Sequence, residues 1–512
     1  LLLLFAACSP SRAELVVANG PDVEVLDPQL ANTTAAARVF QALFEGLTRL
    51  DPTTLAVLPG LADEWQSNDS ATSWRFHLRK DLSWSDGTPL TLEDVRESWL
   101  RLAAPATGAS YADWMRDAQI ELFPEANWLV VYFTRPMPLF DRMCAYHALA
   151  PIPKALRLAA PGSLPDPLPS SGPYRLLERR IRDRIRVERN PFSWRADSVN
   201  LESIDFRTID SQFTALNLFL TEEVLYTPNV PSLAVPKLLA EHGDIYAPAP
   251  QFATYFLRFN VSKPPFDNLD LRLALSYAID REALAKQAGG GRPAATTLVP
   301  ELVDGYQKVQ SGGFDAEQAR QHLAKAKLAM GGSIERLEYI YPSSELNRAV
   351  AEVLQQQWRE VLGVEVALVN LENQSFRPLQ RGLEYQVSHS SWIGDYLDPL
   401  TFLELFHTQS SNNRTGYSNT SYDSLLDEAS ARPLASERFE LLAEAETMLL
   451  QQAVVLPLLV DISQELASPQ LQGFQRNAAG VIDWAALRIA SDHDSERSPV
   501  PRGAAHPEDR HE

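Results

Sequence analysis

Two cysteines and nine histidines in 512 residues leave little material for disulfide or metal chemistry. If Cys8 is modified or removed, Cys144 stands alone and no internal disulfide can form. Cys144 lies in Met143-Cys144-Ala145, an apolar setting where a free cysteine is core filler, and no neighbouring base would activate it. The histidines are scattered without metal-ligand spacing, and His77 and His147 read as partnered structural groups. Gly-x-Ser-x-Gly, His-Glu-x-x-His and Cys-x-x-Cys are missing, and Gly289-Gly290-Gly291 and Gly312-Gly313 are turns because no Lys-Ser/Thr follows them. Triads assemble from distant positions, so this does not exclude catalysis, but it removes the positive case. The expectation is a protein that is not an enzyme, with no catalytic residue, metal or cofactor.

Positive charge is also in deficit. Lys and Arg number 46 against 66 Asp and Glu, a formal charge of −20. Nucleic acid is thereby excluded as a partner, since phosphate binding needs clustered cations. The one basic run, Arg179 to Arg186, reads as the solvated face of a hairpin. Long apolar runs are absent too. Leu1 to Cys8 is far too short to span a bilayer and resembles the end of a signal peptide. Phe5-Ala6-Ala7-Cys8 fits a lipobox that would lipidate Cys8, whereas Ser11-Arg12-Ala13 would release a chain starting at Glu14. Either route exports the protein to the periplasm, the first anchoring it to the membrane.

What is present is ample apolar material, 45% of a chain too long for one core, so two or three domains are expected. Strand-like and helical runs alternate without a fixed repeat, which makes the class α/β. Leu15 to Ala18 reads as a first strand, Thr34 to Leu47 as a helix with Ala36, Val39, Phe40, Leu43 and Phe44 on one face, and Trp128 to Phe133 as a strand. Helices are expected at Ala316 to Ala329 and Leu346 to Leu362, the latter passing through Gly363 into a strand from Val364 to Val369. The Pro/Ser/Gly-rich stretch from Pro161 to Pro173 marks a domain crossing, and the polar tail from Ser491 reads as disordered.

Pro59 to Trp99 is the best-punctuated stretch and holds Trp65, Trp74, Trp84 and Trp99, four of the ten tryptophans. Trp74, Phe76 and Leu78 alternate with Arg75, His77 and Arg79 as in a half-buried strand. Asp86-Gly87 is a turn dipeptide, and Thr91 with Asp94 three residues later signals a helix start. None of these residues looks chemical.

This ordered string closely resembles the signature of the peptide-binding components of ABC transporters, the oligopeptide/dipeptide/nickel-type extracytoplasmic solute-binding proteins. Further blocks agree in the same order: VEVLDPQLANTTAAARVFQALFEGLTRLD near the start, SSGPYRLLERRIRDRIRVERNPFSW from Ser170, FNVSKPPFDNLDLRLALSYAIDREAL from Phe259 with a long helix after its Pro-Pro-Phe turn, and the late strand Val454 to Val460. The resemblance covers roughly residues 14 to 485. It implies a two-lobed periplasmic binding protein fold, with a hinge between the lobes and an additional inserted domain. Domain I would draw on 14–46, 166–255 and 458–490, domain II on 47–165 and domain III on 256–457, with 1–13 a signal remnant and 491–512 a tail. It also implies a monomer that delivers small peptides to permease subunits in the inner membrane.

Peptide binding makes a chemical demand, because the ligand's ammonium loses water in a closed cleft unless a carboxylate meets it. Trp392-Ile393-Gly394-Asp395 resembles the family's Trp-x-x-Asp element, whose Asp pairs with the peptide N-terminus. Asp398 is better placed than Asp395 to cap the helix beginning near Pro399, which frees Asp395 for binding. Gly394 would let backbone approach ligand backbone, and Trp392 would wall a side-chain pocket. By resemblance Tyr111 reaches the ligand from domain II and Asn32 bonds its backbone, although either fits an ordinary surface residue equally well. The departures are His389 where oligopeptide binders carry Arg, Asn373 where they carry a stacking Trp, and Gln380 or Arg381 near a second family Arg. A site without fixed guanidinium groups is therefore expected, with His389 adding a pH-dependent charge. A cell-wall murein peptide, or a non-peptide ligand such as a nickel chelate, haem, a sugar or an opine, stays open as an alternative.

Overall fold

The computed structural model describes residues 13–490 except Asn32, Asp244, Ala247, Lys308, Gln310, Ser311, Glu335 and Pro433. Cys8, Asn32 and the tail from 491 lie outside the described residues.

The chain opens with β1 (Leu15–Gly20), buried over most of its length. A helix over Thr34–Leu43 follows, started by Thr33, whose Oγ1 accepts the Ala36 N–H at 3.1 Å. It stops short of Leu47 because Phe44 turns to extended backbone. The chain then presses so closely on its neighbours that a Cβ at Gly46 would lie 2.0 Å from the Cys144 carbonyl oxygen. Cys144 itself is wholly buried and unpaired, and burial pushes its thiol well above the usual range, which is the inert setting expected.

After the short ribbon β2 (Thr48–Leu50) and β3 (Val57–Pro59), four strands form an antiparallel sheet ordered β4-β5-β7-β6. They are β4 (Ala62–Ser67), β5 (Ser73–Leu78), β6 (Gln119–Phe123) and β7 (Trp128–Tyr132). Trp74, Phe76 and Leu78 of β5 all turn inward as their alternation requires. The Leu92–Ala103 helix covers them, its first turn closed by the Thr91 N–H donating to Asp94 Oδ2 at 3.0 Å. His77 is paired with Asp63 at 2.6 Å, while His147 is buried with Nε2 3.4 Å from the Ala31 carbonyl and its pKa held down at about 4 by burial.

The Pro161 to Pro173 stretch leads into β8 (Tyr174–Arg180), β9 (Arg184–Arg189), β10 (Ser203–Thr208) and β11 (Tyr226–Thr227). With β1 and a strand from the far end of the chain they make a six-stranded sheet. The basic run does form the β8–β9 hairpin, but it is not simply a solvated face. β9 is an interior strand, and Arg184 and Arg186 reach the buried Asp205 of β10 at 3.2 Å each.

The third sheet has the order β14-β13-β15-β12-β16. Its members are β12 (Ala249–Phe259), β13 (Leu337–Pro342), β14 (Val366–Leu371), β15 (Val387–Ile393) and β16 (Val455–Ser463). β17 (Leu466–Ala467) then returns the chain to the six-stranded sheet beside β11. The expected helices stand at Ala316–Ala329 and Glu345–Leu362, and Gly363 closes the second at φ +64. The following strand starts at Val366, two residues later than expected. The long helix expected after Pro265 is two helices, Leu269–Tyr277 and Arg281–Ala288, because Asp280 restarts the turn by accepting the Ala283 N–H at 2.9 Å. The class is thus α/β with several sheets, as read from the sequence. The supposed crossing points at 255/256 and 457/458 fall inside β12 and β16, which pair with each other.

Candidate functional site

A cavity of about 660 Å³ runs between the sheets, lined by residues from the start of the chain, from Tyr111 and Tyr146, from the 389–395 stretch and from the 461–483 region. At one end sits Asp395, just past the end of β15. Thr401 Oγ1 accepts its backbone N–H at 3.1 Å. Asp398, as expected, serves the next helix instead, with Oδ1 accepting the Leu400 N–H at 3.0 Å and Oδ2 paired with the buried Arg438. Asp395 Oδ1 accepts the Tyr111 hydroxyl at 3.1 Å, and Tyr111 lies 3.1 Å from the Tyr146 hydroxyl. Oδ2 is inaccessible to solvent and has no hydrogen-bond partner among the described residues. Burial, and then the charge of Glu404, push the Asp395 pKa up to about 8, with the Tyr111 and Tyr146 hydroxyls pulling the other way. A buried carboxylate with an idle oxygen is a receptor for a cationic group.

Tyr111 is held in place from across the cavity. Ser411 donates its N–H to Asp113 Oδ2 at 2.7 Å, and Asn412 Nδ2 donates to the Ser110 carbonyl at 3.2 Å. Its ring packs against Trp114 at 4.5 Å and Tyr146 at 5.1 Å. Trp392 is half-buried on the cavity wall. Gly394 lines the cavity too, but its missing Cβ is where the Phe252 ring packs, 2.3 Å away, so packing alone requires the glycine. Asn373 opens the Asn373–Arg381 helix at the exposed rim.

Farther along the cavity the charge reverses, and two expectations need correction. His389 does not supply a titrating charge. It is buried edge-to-face on Tyr255 at 4.5 Å, and burial, followed by the Arg258 charge, drives its pKa down to about 3. Nor does the site lack guanidinium groups. Arg258 enters from β12, where Leu257 is in register with His389, and its Nη2 donates to Ser390 Oγ. Arg414 enters from the loop before the Thr420–Ser430 helix and donates from Nη1 to Gln380 Oε1 at 3.1 Å. Gln380 is tied to β15 in turn, its Nε2 donating to Ser388 Oγ and to the His389 carbonyl at 2.9 Å each. Sequence reading missed Tyr146, Arg258 and Arg414. It also missed Glu45, a buried carboxylate on the same cavity whose pKa burial raises to about 7 against the charges of Arg195 and Arg49.

Comparison with known proteins follows this geometry. The profile of the bacterial extracellular solute-binding proteins, family 5, middle, matches residues 56–414. The Escherichia coli periplasmic oligopeptide-binding protein OppA is 28% identical over 490 residues, covering 90% of each chain. The probable deoxycholate-binding periplasmic protein YgiS of the same organism is 29% identical over 505 residues, covering 92% of this chain and 93% of its own. Among solved structures, the E. coli murein tripeptide binding protein MppA superposes with a TM-score of 0.83 at 28% identity, over 94% of this chain and 99% of that one. The unliganded open form of MppA gives 0.68 at 27% identity, over 94% and 98%.

Proposed function

This chain belongs to the bacterial extracellular solute-binding proteins of family 5, and we propose that it captures short peptides in the cavity and delivers them to an ABC importer. The observation that carries the reading is Asp395, whose idle, dehydrated Oδ2 suits the α-ammonium of a peptide. The likeness to OppA and MppA points the same way. The two MppA forms differ in their fit to this chain, 0.83 against 0.68, which favours a hinge that closes two lobes over the ligand. In this reading the domain limits follow the expected three-part division, Tyr111 and Trp392 border the ligand, and the exported chain is anchored through Cys8.

Calorimetry with trialanine and N-acetyl-trialanine on the wild type and on Asp395→Asn tests it. Removing one member of a dehydrated ion pair typically costs about 3–5 kcal/mol. The free-amine peptide should therefore lose on the order of 10² to 10³-fold in affinity. The acetylated peptide should bind the wild type poorly and be insensitive to the substitution. Equal losses for both peptides would sink the ammonium reading. A second reading, a non-peptide ligand, is favoured by the likeness to YgiS; a ligand that lacks an ammonium, as deoxycholate does, would bind Asp395→Asn as well as wild type.

A further inference from the structure

Beside Tyr111 two loops, residues 110–116 and 409–412, meet although 293 to 302 residues of sequence separate their bonded members. Asp113 Oδ2 accepts the Ser411 N–H at 2.7 Å. The Ser110 carbonyl accepts the Ser411 hydroxyl at 2.7 Å and the Asn412 amide at 3.2 Å. Arg116 adds a weaker bond, from Nη2 to the Gln409 carbonyl at 3.3 Å. Tyr111 and Asn412 line the cavity, whereas Ser411 and Arg116 are exposed, so these bonds form its outer rim. Each loop is also built without the other. Arg116 pairs with Asp113 Oδ1, which leaves Oδ2 turned to Ser411. The Trp114 N–H closes on the Tyr111 carbonyl at 3.1 Å. On the opposite side Asn413 Nδ2 donates to the Tyr417 and His407 carbonyls at 2.8 and 3.2 Å, and Asp423 Oδ1 accepts the Thr408 N–H at 2.9 Å. Two preformed surfaces thus dock across the opening through bonds that run from protein to protein.

We propose that these loops are a clasp that holds the cleft shut without a ligand, so that the free chain is mostly closed and a ligand enters only while the clasp is open. The inference rests on the two-lobe hinge reading above, with 110–116 on one lobe and 409–412 on the other. Each exposed bond is weak alone, but once one has formed the rest close between loops that are already ordered and so cost little further entropy. The clasp touches no ligand group, so it stabilises the closed state to the same degree whether the cleft is empty or full. Entry and exit then both wait on its opening, and the clasp sets the rate of exchange while leaving the equilibrium affinity nearly unchanged. Asp395 differs, because a contact made to the ligand acts on affinity. A further bond joins the same two lobes, Gln374 Nε2 to Glu24 Oε1 at 2.7 Å, but it is single and lies between exposed residues, which makes it a control.

Small-angle scattering of the full chain and stopped-flow kinetics with trialanine test it, on the wild type and on Asp113→Ala, Arg116→Ala and Gln374→Ala. The ligand-free wild type should show nearly the radius of gyration that it has with saturating trialanine. Asp113→Ala should be wider when free and return to the wild-type value when saturated, with near-ultraviolet circular dichroism unchanged as proof of folding. Its association and dissociation rates should both rise about 5- to 10-fold, with Kd moving by less than about threefold, and Arg116→Ala should follow to a lesser degree. Gln374→Ala should match wild type. Equal ligand-free radii in wild type and Asp113→Ala that contract on adding peptide overturn the clasp and leave the hinge standing. Equal radii that peptide does not move overturn both. Faster dissociation alone overturns it too, because the loops would then meet only over a bound ligand, as does a Gln374→Ala variant as open as Asp113→Ala. If trialanine does not bind at all, the peptide reading falls, and the ligand-free radii still judge the clasp: a wider Asp113→Ala with native circular dichroism supports it, and equal radii overturn it.

Discussion

The four-stranded sheet with its covering helix and the stretch from β15 to Arg414 differ in what their residues do. The first, around Pro59 to Trp99, has an alternating strand, a turn dipeptide and a capped helix, each formed where its local signals stand. Trp99 is fully buried, donates Nε1–H to the Leu149 carbonyl at 2.9 Å, and meets Phe76 and Phe140 edge-on. The Trp99 N–H is satisfied, and the inward-facing side chains of β5 leave nothing over for a ligand. In the second region and on the neighbouring β12, Asp395 Oδ2 and the Nε atoms of Arg414 and Arg258 are inaccessible to solvent without a hydrogen-bond partner among the described residues. Such atoms on a cavity wall call for a partner from outside the chain. Clear local punctuation therefore reports folding, and idle polar atoms gathered on one cavity wall mark where a ligand group fits.

The contrast is sharpest in stability. Trp99→Ala should destabilise the ligand-free protein by about 3–5 kcal/mol, the usual cost of emptying a large aromatic site, without altering which peptides bind. Denaturant melting together with peptide calorimetry checks it, and a changed peptide preference would blur the division between the regions. Tyr111→Phe should do the opposite on a smaller scale. It removes one hydrogen bond to Asp395, worth about 1–1.5 kcal/mol, so free-amine peptides should weaken by about 5- to 10-fold while the acetylated forms do not.

The same contrast can be read through pH. The Asp395 pKa rises from an ordinary 3.8 to about 8 on folding, so between those values the folded chain holds more protons than the unfolded one. Stability of the ligand-free protein should accordingly fall as pH rises from 5 to 8, and Asp395→Asn should flatten the slope. Glu45, Glu404 and Glu446, each raised to about 7 by burial, act in the same direction and will leave a residual slope. An ammonium ligand needs the carboxylate ionised, so binding near pH 7 should release a fraction of a proton. Titrations in buffers of different ionisation heat will reveal it. Uptake instead of release would count against Asp395 as the receptor.

Some of this was legible without the fold. Thr91 with Asp94, the Trp74/Phe76/Leu78 alternation, Gly363 and the inert Cys144 are decided by neighbours within a few residues, and they formed where the chain sets them. Asp395 was legible too, because Asp398 supplies the nearby cap. The helix break at Asp280 was a local signal overlooked in a strongly apolar run. The far pole of the cavity is of another kind. Arg258 reads as one more strand residue and Arg414 as part of a polar loop. His389 looks like a titratable switch until Tyr255 and Arg258 surround it. Charge depends on dielectric and on neighbours in space, and only tertiary packing sets either. Local residue pattern determined the class, the main elements and the release of Asp395 from the helix cap that Asp398 supplies. The pairing of β12 with β15, and the loop carrying Arg414 across to Gln380, decided that the same cavity is cationic at its other end.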